Sequence, residues 1–115
     1  MDLMEFNGEN WTEEVLKTDL PVLVDFRLPG EVPNELEDKL LEELQSHWGS
    51  LVRVGILDGE NCPEVAETYR ISDFPTLTLF YGGEIYYTTW GWGRVRRMIT
   101  FWLKVSREVP QKVWN

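Results

Sequence analysis

The sequence predicts an α/β domain with a central mixed β-sheet flanked by helices. Apolar runs of strand length alternate with segments of helical periodicity, and strands separated by helices favour parallel pairing. The last two apolar runs are separated only by Gly82-Gly83, which predicts a tight hairpin and an antiparallel edge. The chain has 115 residues, 43% of them hydrophobic, which is enough for one domain with a buried core. We expect this domain to span residues 1–108 and residues 109–115 to form a tail.

The first half of the chain contributes a short helix, a strand and a long helix. The short helix is expected to begin at Asn10, with Glu13 completing a capping box, and a strand before it is left open. Residues 21–26 (PVLVDF) are apolar on both faces, which favours a central strand of a covered sheet. Pro33 suits the first position of the long helix. The apolar residues of that helix recur at helical spacing: Leu36, Leu40, Leu41, Leu44 and Trp48.

The second half completes the sheet and ends in a helix. Residues 51–57 (LVRVGIL) are expected to form a strand, and Cys62-Pro63 to begin a short helix. Residues 76–81 and 84–90 are expected to form the two strands of the glycine hairpin. The last helix is marked by apolar residues at helical spacing: Val95, Met98, Ile99, Trp102 and Val105.

Composition excludes several classes of function. The formal net charge is -9, from 20 acidic and 11 basic residues, which argues against a nucleic-acid binder. The sequence lacks the run of about 18 apolar residues that would indicate a membrane span, and no signal peptide is visible. A cytoplasmic location is therefore expected. Cys62 is the only cysteine and His47 the only histidine, so neither an internal disulfide nor a metal site is expected. We expect no cofactor.

Two segments resemble the thioredoxin family. They are PVLVDF at residues 21–26 and ISDFPTLTLFYGGE at residues 71–84, separated by a proline-containing turn and a long helix. The resemblance covers residues 10–106. It implies the thioredoxin fold and a cis peptide bond between Phe74 and Pro75. It also implies a peptide-binding groove beside that proline, since the family lines such a groove with the cis-Pro loop and the loop around Gly91.

The turn after the first long strand departs from the family. Glu31-Val32-Pro33-Asn34 stands where thioredoxins carry Cys-Gly-Pro-Cys, and Gly30 stands where they carry a tryptophan. The family's nucleophile is a thiolate at a helix N-terminus. A carboxylate at Glu31 gains from the same helix dipole but exchanges no disulfide. The turn therefore keeps the shape that the resemblance implies and lacks both sulfur atoms.

Asp25 matches the buried aspartate that assists proton transfer at the second cysteine in the family. The lysine that usually partners this aspartate falls near Ile56 here. With no thiol to serve, Asp25 is either a relic or a structural acceptor, satisfied by water or by Arg27. Acid–base catalysis by Glu31 and Asp25 has no visible substrate pocket or electrophile stabiliser, so no enzymatic activity is expected.

The preferred hypothesis is a redox-inactive protein that binds a protein or peptide partner. The groove would comprise Gly30, Glu31, Val32, Pro33, Asn34, Phe74, Pro75, Trp90, Gly91 and Trp92. Aromatic residues near a groove favour protein contact, although packing within the fold explains Trp90 and Trp92 equally well. The alternative is a redox protein or sensor that uses Cys62, which is otherwise a small buried core residue. A third reading is an assembly factor that binds an acidic partner through the basic cluster at residues 94–97.

Overall fold

The computed structural model describes residues 3–29 and 35–90, and these residues form one mixed β-sheet with helices on both faces. Its strands, in chain order, are β1 (Met4–Phe6), β2 (Val22–Arg27), β3 (Arg53–Asp58), β4 (Thr76–Tyr81) and β5 (Glu84–Trp90). The spatial order is β1-β3-β2-β4-β5. β1 and β2 run parallel to β3, whereas β4 is antiparallel to both β2 and β5. The predicted fold class is confirmed.

Three helical segments connect these strands. A short π-helix spans Thr12–Leu16, α1 spans Glu35–Trp48 and α2 spans Pro63–Thr68. Pro63 occupies the first turn of α2, as the sequence predicted, where its missing N–H leaves no helical hydrogen bond unmade. The predicted turn at residues 30–34, the predicted last helix and the predicted tail at 109–115 lie outside the described residues.

The N-terminal turn is capped by a different residue from the one expected. Asn7 Oδ1 accepts the backbone N–H of Asn10 at 2.9 Å, and Asn10 Oδ1 accepts the backbone N–H of Asn7 at 2.8 Å. This is the reciprocal arrangement of a capping box, with Asn7 as the cap and Asn10 in the third position. The expected cap at Asn10 is wrong because the chain already turns at Asn7, whose carbonyl accepts the N–H of Trp11 at 3.0 Å.

The sheet divides the core into two layers. One face packs Val22, Val24 and Phe26 of β2 against the π-helix and α2. The opposite face packs Leu23 of β2 against Leu41 and Leu44 of α1. All six residues of β2 are buried, as expected for the central strand. Full burial of each large apolar side chain contributes about 1.5–3 kcal/mol, so both faces of this strand stabilise the fold.

The hairpin at the edge depends on its two glycines. Gly82 and Gly83 have φ angles of 62° and 81°, the left-handed region that side chains rarely adopt. Such a pair closes a two-residue hairpin whose twist matches that of its strands. A bulge then shifts the register, since Leu79 pairs with Tyr87 and Phe80 pairs with Ile85. The bulge leaves Tyr86 as the extra residue of β5. β5 is an edge strand of the described sheet.

Candidate functional site

The described part of the predicted groove centres on the segment that enters β4. The peptide bond between Phe74 and Pro75 is cis. Thr76, the first residue of β4, pairs with Trp90, the last residue of β5. This register brings Trp90 alongside the cis-proline segment. The remaining predicted groove residues lie outside the described part of the chain: Gly30, Glu31, Val32, Pro33, Asn34, Gly91 and Trp92.

The cis-proline segment is held from both sides. Phe74 is half-buried and packs against the core layer under α2. Gly59 makes room for it, because a Cβ atom at Gly59 would lie 2.6 Å from the Phe74 ring. The Thr76 hydroxyl donates a hydrogen bond to the carbonyl oxygen of Asp73, which closes the loop around Phe74-Pro75. The backbone of this segment is therefore positioned by the fold before any partner arrives.

The two described tryptophan side chains have opposite environments. Trp11 is only 6% exposed and donates its indole N–H to the Tyr69 hydroxyl at 3.0 Å. Trp90 is 68% exposed, which leaves most of its ring open to solvent. Trp11 thus belongs to the core. Trp90 lies on the surface beside the cis-proline segment. The sequence left open whether Trp90 packs within the fold or contacts a partner, and its exposure favours contact with a partner.

Asp25 lies inside the sheet and is bound by an arginine of its own strand. Its side chain is fully buried, and Arg27 is 7% exposed. Arg27 Nε donates to Asp25 Oδ2 at 2.7 Å, and Arg27 Nη2 contacts the same oxygen. Arg27 Nη2 also donates to Asp38 Oδ1 of α1 at 2.8 Å. The sequence had named Arg27 as one way to satisfy Asp25, and the structure shows that contact.

The charge balance around Asp25 differs from the one that the family resemblance implies. Ile56 lies opposite Asp25 in the β2–β3 register, at the place expected for the family's lysine. Arg27 supplies the cation instead. Burial lowers the pKa of the Arg27 guanidinium, but the carboxylates of Asp25 and Asp38 outweigh burial and raise that pKa above its ordinary value. The guanidinium is therefore charged throughout the accessible pH range.

Asp38 is the site residue that sequence reasoning missed. It lies in the N-terminal part of α1, where the helix dipole favours acidic residues. The structure adds a second role, because Asp38 ties α1 to β2 through Arg27. The signal was the spacing of Asp25 and Arg27: residues two apart on a strand share a face, so both had to face the helix that covers it.

Cys62 lies immediately before α2, as predicted, and its side chain is 9% exposed. It belongs to the apolar core layer that also contains Val65 and Phe26. A thiol must reach its partner to exchange disulfides, and burial opposes that access. The position of Cys62 thus matches the reading of a small core residue and offers no support for the redox alternative.

Two further structural findings concern metals and membranes. Within residues 3–29 and 35–90, no group of three or more His, Cys, Asp or Glu side chains is placed to hold a metal ion. The longest helix in the same ranges, α1, has 14 residues, and none of the helices there combines the length and apolarity that a membrane crossing requires.

Comparison with known proteins gives consistent matches to one family. The sequence model of the thioredoxin family matches residues 2–104. A thioredoxin from Rickettsia bellii is 38% identical over 76 residues, which cover 66% of this chain and 72% of that protein. Thioredoxin 1 from Nostoc sp. is 35% identical over 80 residues, which cover 70% and 75%. The chloroplastic M-type thioredoxin from Spinacia oleracea is 31% identical over 83 residues, 72% of this chain. That match spans only 46% of the spinach protein, so the chain covers less than half the length of that relative.

Proposed function

The chain belongs to the thioredoxin family, and from that premise we propose that it is a redox-inactive member that binds a protein or peptide segment. The observation that carries the proposal is the sequence of the turn at residues 31–34, Glu-Val-Pro-Asn. Disulfide exchange needs a thiolate to attack and a second thiol to release the mixed disulfide. Glu31 and Asn34, which stand at the two cysteine positions, supply neither group.

The retained features favour binding. The cis bond at Phe74-Pro75 and the exposed ring of Trp90 lie side by side at one end of the sheet. An extended partner segment can pair with backbone groups beside the cis-proline, so main-chain hydrogen bonds provide affinity and neighbouring side chains provide selectivity. Exposed aromatic rings are frequent energetic anchors of protein interfaces. Glu31 disfavours an acidic residue facing it, so the partner is neutral or basic at that point.

The loss of redox activity is tested by insulin reduction with dithiothreitol. We expect the wild-type protein and the Cys62→Ser variant to show the same background rate. A wild-type rate near that of an ordinary thioredoxin, abolished by Cys62→Ser, would instead establish the redox alternative. The variant Glu31→Cys/Asn34→Cys serves as the matched positive control, and activity in it alone would show that the missing thiols account for the inactivity.

The binding site is tested by capture of a partner from cell extract, followed by titration calorimetry with the purified partner. Trp90→Ala and Trp92→Ala should each weaken binding by about thirtyfold, since removal of an aromatic anchor commonly costs about 2 kcal/mol or more. Arg96→Ala should leave binding unchanged. If both tryptophan variants bound the partner normally and Arg96→Ala bound it weakly, the binding site would be assigned to the basic cluster at residues 94–97 instead.

A further inference from the structure

An open cleft lies beside the cis-proline segment, between the loop after α2 and the edge strand β5. Its volume is about 230 Å³. Ile85, Thr88 and Trp90 of β5 form one wall, and Arg70, Ile71 and Asp73 line the other. Ile85 and Trp90 are 42% and 68% exposed, so the β5 wall presents apolar surface to solvent. Apolar surface that is exposed beside a concavity is typical of a contact site.

Arg70 is held at the rim of this cleft in an unfavourable backbone conformation. Its φ angle is 58°, in the left-handed region. Its N–H donates to the carbonyl of Glu67 at 3.0 Å, and the N–H of Ile71 donates to the carbonyl of Ala66 at 2.9 Å. These two bonds are those of a Schellman motif at the end of α2, with Arg70 in the left-handed position where glycine is usual. The fold therefore carries an arginine where a residue without a side chain is less strained.

The charge of Arg70 is not neutralised by its described neighbours. The side chains of Lys17, Arg27 and Arg53 all lie within 4.0 Å of a carboxylate. Arg70 forms no such ion pair among the described residues, although Asp73 lines the same cleft. An exposed guanidinium presents a fork of donors that matches a carboxylate. The cleft thus combines an apolar wall with a cation at its rim.

We propose that the cleft is a specificity pocket for an acidic–apolar segment of a partner protein. A large apolar or aromatic side chain packs against Ile85 and Trp90, and an adjacent Asp or Glu carboxylate pairs with Arg70. The inference rests on the proposed function, because Asp73 and Trp90 belong to the cleft and also flank Phe74-Pro75. The net charge of -9 disfavours acidic segments in general, so within this cleft the contact with Arg70 is what would select one.

The test uses a phage-displayed library of random heptapeptides selected on the wild-type protein. Enriched peptides are synthesised with a fluorophore, and their affinities are measured by fluorescence polarisation. We expect the enriched sequences to place Asp or Glu next to a large apolar residue. Arg70→Gly should weaken their binding about tenfold, the effect of losing one charge-assisted hydrogen bond, whereas Arg70→Lys, which keeps the charge but not the fork of donors, should weaken it less. Asp73→Asn, the matched change of the neighbouring carboxylate, should tighten binding.

The outcomes separate this inference from the proposed function. Arg70→Gly relieves the left-handed strain, so a loss of binding in this variant is not a loss of folding, and a thermal melt verifies that. The proposed specificity pocket would be overturned, and the proposed groove would stand, if the enriched peptides lacked acidic residues, bound Arg70→Gly normally and bound Trp90→Ala more weakly. Peptides that bind Arg70→Gly and Trp90→Ala as tightly as the wild-type protein would contradict both the specificity pocket and the groove. A selection that enriches no peptide would contradict both as well.

Discussion

Replacing Arg27 by methionine should destabilise the protein strongly, because it removes the cation that balances a buried charge. Asp25 is fully buried in the central strand, and Arg27 binds it through two nitrogen atoms of one guanidinium. Methionine keeps the length of the aliphatic stem and has no charge. The variant therefore removes the Arg27 guanidinium from the buried Asp25 carboxylate while changing the packing little.

The expected cost is about 3 kcal/mol of unfolding free energy. Removal of one partner from a buried ion pair typically costs about 3–5 kcal/mol. We take the lower end because the second carboxylate on Arg27, that of Asp38, has a side chain 37% exposed and can return to water. Domains of this size are stable by about 5–15 kcal/mol, so the variant should remain folded and measurable.

Urea unfolding at pH 7, followed by tryptophan fluorescence, gives the measurement. The double variant Asp25→Asn/Arg27→Met should regain most of the loss, because no buried charge is left unbalanced.

Arg53→Met is the matched control. Arg53 Nη1 lies 2.9 Å from a Glu14 carboxylate oxygen and donates to the Glu14 backbone carbonyl at 2.7 Å. The two side chains are 24% and 34% exposed, so the loss of both contacts should cost only about 1–2 kcal/mol. A cost for Arg27→Met no larger than that of Arg53→Met would show that Asp25 does not depend on Arg27. A double variant that is no more stable than Arg27→Met would refute the argument that a buried charge causes the loss.

Three further predictions concern the core, the sheet and the end of α2. Tyr69→Phe removes the acceptor of the Trp11 indole N–H and should cost about 1–2 kcal/mol in urea unfolding; an unchanged midpoint would mean that water replaces the hydroxyl. Gly55→Ala places a Cβ atom 2.7 Å from the carbonyl oxygen of Met4 and should cost about 1–3 kcal/mol. It should also speed amide exchange in β1 selectively, and uniform exchange rates would contradict the proposed close contact. Arg70→Gly should raise stability by up to about 1 kcal/mol, since relief of left-handed strain exceeds the added chain entropy; a lower melting temperature would contradict that reading.

Local sequence patterns were enough to predict the architecture and to motivate the proposed loss of disulfide exchange. The all-apolar run of β2, the glycine pair at Gly82-Gly83 and the proline at Pro63 each specify a local conformation through the steric preferences of a few adjacent residues. The order of such elements restricts the sheet to a few topologies. The absence of sulfur in the turn at residues 31–34 is likewise a property of the sequence, so the expected loss of disulfide exchange needed no coordinates.

Which of several chemically equivalent residues takes each role became visible only in the folded chain. Asn7 and Asn10 can both cap a turn, and only the path of the chain shows that Asn7 caps the one that leads into the π-helix. Asp38 and Arg27 lie on different elements, so their contact depends on how α1 packs against β2. The exposure of Trp90 and the strained backbone of Arg70 were invisible in the sequence for the same physical reason. Burial, ion pairing and the cleft beside β5 depend on neighbours that are distant along the chain, and only packing brings those neighbours together.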